Sequence, residues 1–152
     1  MAEPVTIHAS CVALGELGIL IEGAPGSGKS DLVLRLIDEP GYGLADIPLR
    51  GRLVADDQTL IERRGNDLIA SSPKPIAGLF EIRGQGIVKV HHLCDVRLAL
   101  AVKLVPASEI ERMPEAAFRH IAGVALRSIA IDPAKASAPA RIRAALTAVT
   151  HV

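Results

Sequence analysis

"GILIEGAPGSGKS", residues 18–30, decides the reading of this chain: a continuous apolar run passes without a spacer into the pattern G-x-x-x-x-G-K-S. Apolar residues at successive rather than alternate positions predict a strand buried on both faces, as in the interior of a sheet flanked by helices. The glycines let successive backbone N–H groups turn inward around phosphate oxygens, and a following helix adds the positive end of its dipole. Gly23, Ala24, Pro25, Gly26, Ser27, Gly28, Lys29 and Ser30 are therefore read as a nucleotide-phosphate cradle. Lys29 is placed to reach the terminal phosphates and Ser30 to ligate Mg²⁺. Downstream, "SDLVLRLIDE" (30–39) has Val33, Leu36 and Ile37 at helical spacing, and Pro40 with Gly41 stops it. Strand, loop and helix together are the setting that a phosphate loop requires.

Upstream, "VTIHASCVAL" (5–14) alternates with Val5 and Ile7 on one face and Thr6 and His8 on the other, and it is expected to form a hairpin with the apolar strand across Gly15 and Glu16. Downstream of the helix, residues 42–51 are punctuated by Gly and Pro and read as a connection. "RLVADD" (52–57) reads as a short buried strand ending in two acids, and "QTLIERRGNDLIASS" (58–72) as a hairpin turning at Gly65 and Asn66. Residues 73–86 read as loop-rich, and "IVKVHHL" (87–93) and "VRLALAVKLV" (96–105) as strands. Short helical pieces are expected over 107–123, a last strand at "RSIAI" (127–131), and a C-terminal helix at "APARIRAALTAV" (138–149) with Ile142, Leu146 and Val149 on one side. The expected class is α/β, a mixed β-sheet with a P-loop and flanking helices, in one domain over residues 1–152.

Composition narrows the function classes. Seventeen basic and seventeen acidic residues balance, and the longest basic run is the pair Arg63 and Arg64, so nothing gathers a polyanion. Aromatic residues are 2% of the chain, too few for stacking platforms on single-stranded nucleic acid. No nucleic-acid partner is expected. No apolar stretch approaches the ~20 residues of a membrane helix, and the N-terminus lacks the pattern of a signal peptide, so a cytoplasmic protein without a membrane partner is expected. In that compartment Cys11 and Cys94 are expected as reduced, small core residues.

Four further groups bear on chemistry. Asp56 and Asp57 close an apolar strand, which puts carboxylates at the carboxyl edge of a sheet, where α/β proteins bind ligands. One such acid can hold a metal and another can take the proton of an acceptor hydroxyl. Glu81 and Arg83, two apart in "FEIRGQG" (80–86), would share a face of an extended backbone, Glu81 completing a Mg²⁺ shell with Ser30 and Arg83 neutralising phosphate charge. His8 precedes the loop by one hairpin and is a candidate acid, base or phosphate ligand. "HHLCD" (91–95) is not a zinc site, because adjacent strand residues face opposite ways and leave His92 with Cys94 alone. These residues leave three readings open: a protein-serine kinase, a P-loop kinase for a small molecule, and a non-catalytic ATP-sensing regulator.

Together, "GAPGSGKS", "LVADD" and "EIRGQGI", in that order behind a histidine-bearing strand, resemble the catalytic domain of the HPr kinase/phosphorylase family in its short form. "EIRGQGI" is the most specific of the three, since phosphate loops occur in many unrelated NTPases. The resemblance implies a core like that of phosphoenolpyruvate carboxykinase, ATP and Mg²⁺ as cofactors, and transfer of the γ-phosphate to a serine of the phosphocarrier HPr. It also implies the reverse step, in which inorganic phosphate attacks phosphoserine and pyrophosphate leaves. By the same resemblance residues 23–30 cradle the nucleotide, Lys29 stabilises the transferring charge, and Ser30 with Glu81 holds Mg²⁺. Asp57 is the proton acceptor of the kinase direction with Asp56 as its electrostatic support, His8 matches the family's histidine upstream of the loop, and Arg112 in "ERMPE" matches a catalytic arginine. Members of the family are typically oligomers, so a homo-oligomer is implied. One departure bears on direction: the basic, proline-rich stretch associated with dephosphorylation stands here as "IAIDPAKAS" (129–137), without its arginines.

Overall fold

The computed structural model describes residues 3–42, 44 and 46–149, with the side chains of 148 and 149 outside that description. In chain order the elements are β1 (Val5–Ile7), β2 (Ser10–Leu14), β3 (Leu17–Glu22), α1 (Lys29–Asp38), β4 (Gly51–Ala55), β5 (Thr59–Arg64), β6 (Asp67–Ser71), β7 (Leu79–Ile82), β8 (Gly86–Lys89), β9 (Val96–Leu104), β10 (Ala117–Ile121), β11 (Val124–Ile131) and α2 (Ala138–Val149), with 3₁₀ turns at Lys74–Ile76 and Ala107–Glu109.

Among the described residues nine strands join in one mixed sheet, in the order β1-β5-β6-β9-β3-β2-β4, with β11 also on β9 and β10 on β11. The fold is α/β, as the sequence reads. β9 lies parallel to β3 and to β11, while β2 is antiparallel to both β3 and β4. It follows that β3, β4, β9 and β11 point the same way, and their carboxyl ends share one edge. The loop at 23–30 leaves β3 there, Asp56 and Asp57 leave β4, residues 105–106 leave β9, and residues 132–134 leave β11. This edge is where an open α/β sheet offers a crevice.

Both faces of the central strands are buried. On one, Ile19 and Ile21 of β3 pack with Val12 and Leu14 of β2, with Leu32, Val33 and Leu36 of α1, and with Ala138, Ile142 and Leu146 of α2. Each large aliphatic side chain so buried contributes roughly 1.5–3 kcal/mol, so α1 is held by its apolar stripe rather than by propensity. On the other face no helix enters among the described residues. Leu20 packs there with Ile61, Leu68, Ile121 and Leu126, drawn from the two branches β6-β5 and β11-β10 that leave β9 on the side away from β3, around the small residues Ala9, Cys11, Ala13, Ala55, Ala70 and Ala101. Small side chains let the outer strands curl over the centre, which explains how a chain with 2% aromatic residues fills this side. The middle of α2 is tied to the C-terminal end of α1 by Arg143, which is buried and donates to the carbonyls of Leu36, Glu39 and Leu49. α1 approaches β4 so closely that a Cβ on Gly51 would strike the Leu36 carbonyl oxygen.

Several local expectations are corrected. Residues 5–14 are not one strand: β1 pairs with β5 and β2 with β3, because the chain changes partner at His8 and Ala9. "FEIRGQG" is not a loop but the hairpin of β7 and β8, closed with Ile82 opposite Gly86. Residues 107–123 hold one 3₁₀ turn and then β10, joined to β11 through Ala122 and Gly123, both at positive φ; two successive left-handed residues match a type I′ hairpin turn. Cys94 is exposed, whereas Cys11 is buried as expected, and both are free thiols. The GN hairpin stands, with Arg64 opposite Asp67. So does the C-terminal helix over 138–149; the side chain of Val149 lies outside the described residues. Among the described residues no helix is long and apolar enough to cross a membrane.

Candidate active site

The phosphate loop has the backbone its glycines were read to permit. Gly26 and Gly28 lie at φ 78° and 96°, left-handed conformations that other residues adopt at a cost, and no atom lies within 4 Å of a Cβ built on Gly26. Gly28 is the N-cap of α1, and its carbonyl accepts the Leu32 N–H. A Cβ on Gly23 would run into Ser27 Oγ, a buried hydroxyl with no hydrogen-bond partner among the described residues. An open, glycine-lined cradle at a helix N-terminus, holding an orphaned hydroxyl, suits a phosphate group.

Lys29 begins α1 with only 9% of its side chain exposed, and its Nζ donates to Asp57 Oδ1 at 2.9 Å. His8 Nε2 stands 3.4 Å from the same oxygen. The antiparallel register explains the meeting: Ser10 sits opposite Ile21, so His8, two residues back along the chain, reaches past the end of β3 toward the loop. Asp57 itself is 58% exposed. One carboxylate oxygen is therefore fixed by a buried cation while the group stays open to an incoming acceptor.

Asp57 occupies a three-residue turn. Its φ is 65°, and the Gln58 N–H donates across it to the Asp56 carbonyl at 2.7 Å. An i to i+2 bond around a positive φ is the rare, strained form of γ-turn, and such strain costs of order 1–3 kcal/mol that the surroundings must hold. Two hydroxyls flank the turn. Ser10 Oγ accepts the Asp57 N–H at 3.0 Å and lies 3.4 Å from Asp56 Oδ1, to which it can donate, while Thr59 Oγ1 donates to the Ala9 carbonyl at 2.8 Å. Both hydroxyl residues are fully buried. Neither was singled out in the sequence, where the only signal is that Ser10 follows His8 by two residues and so extends on the same side of the chain.

Asp56 points inward. Burial pushes its carboxyl above the usual carboxylate range, and the neighbouring charge of Asp57 adds to this, whereas the Glu81 N–H on Oδ2 at 3.1 Å, the Ser10 hydroxyl and Lys29 oppose it. Through that Glu81 bond the β7–β8 hairpin is docked beside the acids, while Phe80 is buried in the core. Ser30 and the Glu81 side chain are both exposed. Hydroxyl and carboxylate are the hard oxygen donors that suit Mg²⁺, an ion commonly held by few protein groups together with substrate phosphates. Among the described residues no three His, Cys, Asp or Glu side chains converge on one point. Arg83 does not share the extended face of Glu81, because β7 ends at Ile82 and Arg83 enters the turn that Gly84 and Gly86 make at φ 91° and 95°. Arg112 is exposed between the second 3₁₀ turn and β10, and no hydrogen bond or ion pair among the described residues ties it to the acids.

An open cavity of about 520 Å³ adjoins the loop, lined by Gly26, Ser27, Gly28 and Asp31 on one side and by residues 104–106 and 132–134 on the other. Its far wall is anchored to α1: Arg35 donates to the carbonyls of Pro133 and Lys135 and is itself paired with Asp31. A Cβ on Gly28 would stand 3.3 Å from Pro133. A smaller cavity, about 270 Å³, lies where β6 and β11 diverge from β9 and is lined by none of the candidate site residues.

Residues 1–145 match the family described as the HPr Serine kinase C-terminal domain. The HPr kinase/phosphorylase of Clostridium tetani is 37% identical over 105 residues, 69% of this chain and 31% of that protein. That of Clostridium acetobutylicum is 38% identical over 103 residues, 68% of this chain and 31% of that protein. The chain thus spans 31% of the length of these relatives. In fold it is similar to the Hpr(Ser) kinase/phosphatase from Coxiella burnetii, with a TM-score of 0.77 at 23% identity, over 97% of this chain and 90% of that one.

Proposed function

The chain belongs to the HPr serine kinase family through that family's C-terminal domain, and from this premise we propose that it is an ATP-dependent protein-serine kinase acting on HPr. The observation that carries the reading is the single oxygen, Asp57 Oδ1, reached by both Lys29 Nζ and His8 Nε2 beside the phosphate loop. ATP with Mg²⁺, when bound, supplies the γ-phosphoryl group and the metal's charge. Residues 23–30 hold the phosphates through backbone N–H groups, and Ser30 and Glu81 are the residues that would hold the ion. Phosphoryl transfer asks a protein mainly for positioning and charge stabilisation. Lys29 is placed to neutralise charge on the transferring group. Asp57, open to solvent, takes the proton of the acceptor serine as its oxygen attacks, and Asp56 keeps a second carboxylate at its back. Arg83 and Arg112 are exposed, and their part in this reading is to contact phosphate or HPr. The 152 residues work as one catalytic domain, within an oligomer as the family implies.

The reverse reaction would need a second anion, free phosphate, beside the loop. The stretch 129–137, which lines the adjacent cavity through residues 132–134, lacks the arginines that the family resemblance associates with dephosphorylation, and this favours the kinase direction over phosphorolysis. The test is incubation with HPr, Mg²⁺ and γ-labelled ATP, followed by addition of inorganic phosphate. Label on an HPr serine, with little pyrophosphate released afterwards, is the expected outcome. HPr binding without transfer would instead make the chain a sensor, and turnover of a small acceptor with HPr untouched would make it a small-molecule kinase.

A further inference from the structure

Asp57 cannot hold its own position. It is a non-glycine residue at φ 65° in a turn closed by the Gln58 N–H to the Asp56 carbonyl, and its side chain is more than half exposed. A strained conformer persists only where neighbours over-determine it. The pairing with Lys29 fixes one carboxylate oxygen, but it leaves the direction of the peptide free. The group that grips the backbone is Ser10, fully buried at the start of β2 on the face that α1 covers. Its Oγ accepts the Asp57 N–H at 3.0 Å and stands 3.4 Å from Asp56 Oδ1. One hydroxyl thus touches both acids: as acceptor it orients the Asp57 peptide, and as donor it faces the Asp56 carboxylate. Because β2 lies between β3 and β4, Ser10 also links the strand that launches the phosphate loop to the strand that launches the acids.

We propose that Ser10 is the positioning residue of this site, holding the Asp57 turn so that the carboxylate faces the acceptor hydroxyl and Lys29 together. The inference rests on the phosphoryl-transfer reading and deepens it. Ser10 does not touch ATP or HPr; it acts through Asp57. Removing its hydroxyl therefore lowers the rate of transfer rather than the binding of either substrate.

The experiment compares the wild-type chain with Ser10→Ala and Ser10→Thr. In Ser10→Ala we expect kcat for HPr phosphorylation to fall at least tenfold while the KM values for ATP and HPr stay within threefold, and Ser10→Thr, which keeps the Oγ, to recover most of kcat. Amide hydrogen exchange at Asp57 should be at least tenfold faster in Ser10→Ala than in the wild type, with exchange in the β3 and β9 core unchanged. A Ser10→Ala enzyme with wild-type kcat, or with unaltered Asp57 exchange, overturns the proposal. Should Ser10→Thr misfold from its added methyl group, Ser10→Ala and the exchange data decide alone. A wild-type chain that transfers no phosphate refutes the kinase reading, and the hold of Ser10 on Asp57 then stands or falls by the exchange measurement.

Discussion

Lys29 Nζ lies 2.9 Å from Asp57 Oδ1, joining the end of the phosphate loop to the acid that follows β4 across 28 residues of sequence. The pair sets an asymmetry: the cation is buried and the carboxylate is open. A buried charge without a partner costs several kcal/mol, so Lys29 stays with Asp57 until a phosphate offers it a replacement. The same contact therefore serves stability in the free protein and charge stabilisation during transfer.

Asp57→Asn separates these two duties. The amide keeps an oxygen for Lys29 and nearly the same volume, but it cannot accept a proton at neutral pH. Phosphate transfer to HPr is expected to fall by about 10²–10⁴-fold, the usual worth of a positioned general base, with ATP affinity largely kept. Calorimetry for ATP and label transfer to HPr check the two halves. Full activity in this variant would sink the proton-transfer role of Asp57.

Lys29→Met tests the other partner. Methionine fills the buried channel without a charge, and Asp57, half in water, tolerates the loss. The urea midpoint should change little, because the buried charge is removed and the carboxylate left behind is solvated rather than buried without a partner. ATP affinity should fall at least ~10-fold, since a charge-assisted hydrogen bond is worth about 1.5–3 kcal/mol. Equal ATP affinity in the variant would remove Lys29 from the phosphate site.

How legible all this was in the sequence depends on whether a feature is local. The loop, its strand and its helix could be read because glycine spacing and apolar runs act over a few residues. Asp57 was readable as the end of a strand, and the resemblance to a family gave it a role. The γ-turn at Asp57, and the tie from Ser10, could not be read, since both depend on β2 lying beside β4, which brings Ser10 to Asp56 across 46 residues. Residues 107–123 read as helical because "PEAAF" favours helix locally, whereas β10 forms by pairing with β11, the strand expected at 127–131, across a turn in which Ala122 at φ 50° has its carbonyl held by the Arg63 guanidinium. Glu81 and Arg83 illustrate the opposite error: a two-residue spacing implies a shared face only while the strand continues, and β7 stops at Ile82.

Arg143→Met addresses stability away from the acids. The guanidinium donates to three carbonyls, those of Leu36, Glu39 and Leu49, satisfying the open C-terminal end of α1 and pinning the chain that leads into β4. Burial lowers its pKa from the usual arginine value, with Glu39 opposing, and a long apolar side chain recovers packing but none of the bonds. A loss of about 3 kcal/mol is expected from the carbonyls left unpaired, measured as a fall in urea midpoint at unchanged slope. Because α1 begins at Lys29, ATP affinity should weaken along with stability.

The two thiols give the final prediction and a pH sign. Cys11 is buried in the all-strand core, where burial pushes its pKa from 9.0 up to about 12, against a backbone hydrogen bond from Ile19 that lowers it; Cys94 is exposed. Native protein should react with a thiol reagent at one cysteine per chain and unfolded protein at two. Below pH 9.0 the Cys11 thiol is protonated both folded and unfolded, and its contribution to stability is fully present. Between 9.0 and about 12 the unfolded chain gives up the proton while the folded chain keeps it. Stability then declines as pH rises, by up to ~1.4 kcal/mol per pH unit from this one group. Urea midpoints of wild type and Cys11→Ala, measured at about pH 8 and about pH 10.5, isolate that part, because the alanine variant lacks the titrating group. The wild type should lose more stability over this interval than the variant; parallel losses would mean that the Cys11 thiol titrates alike in both states.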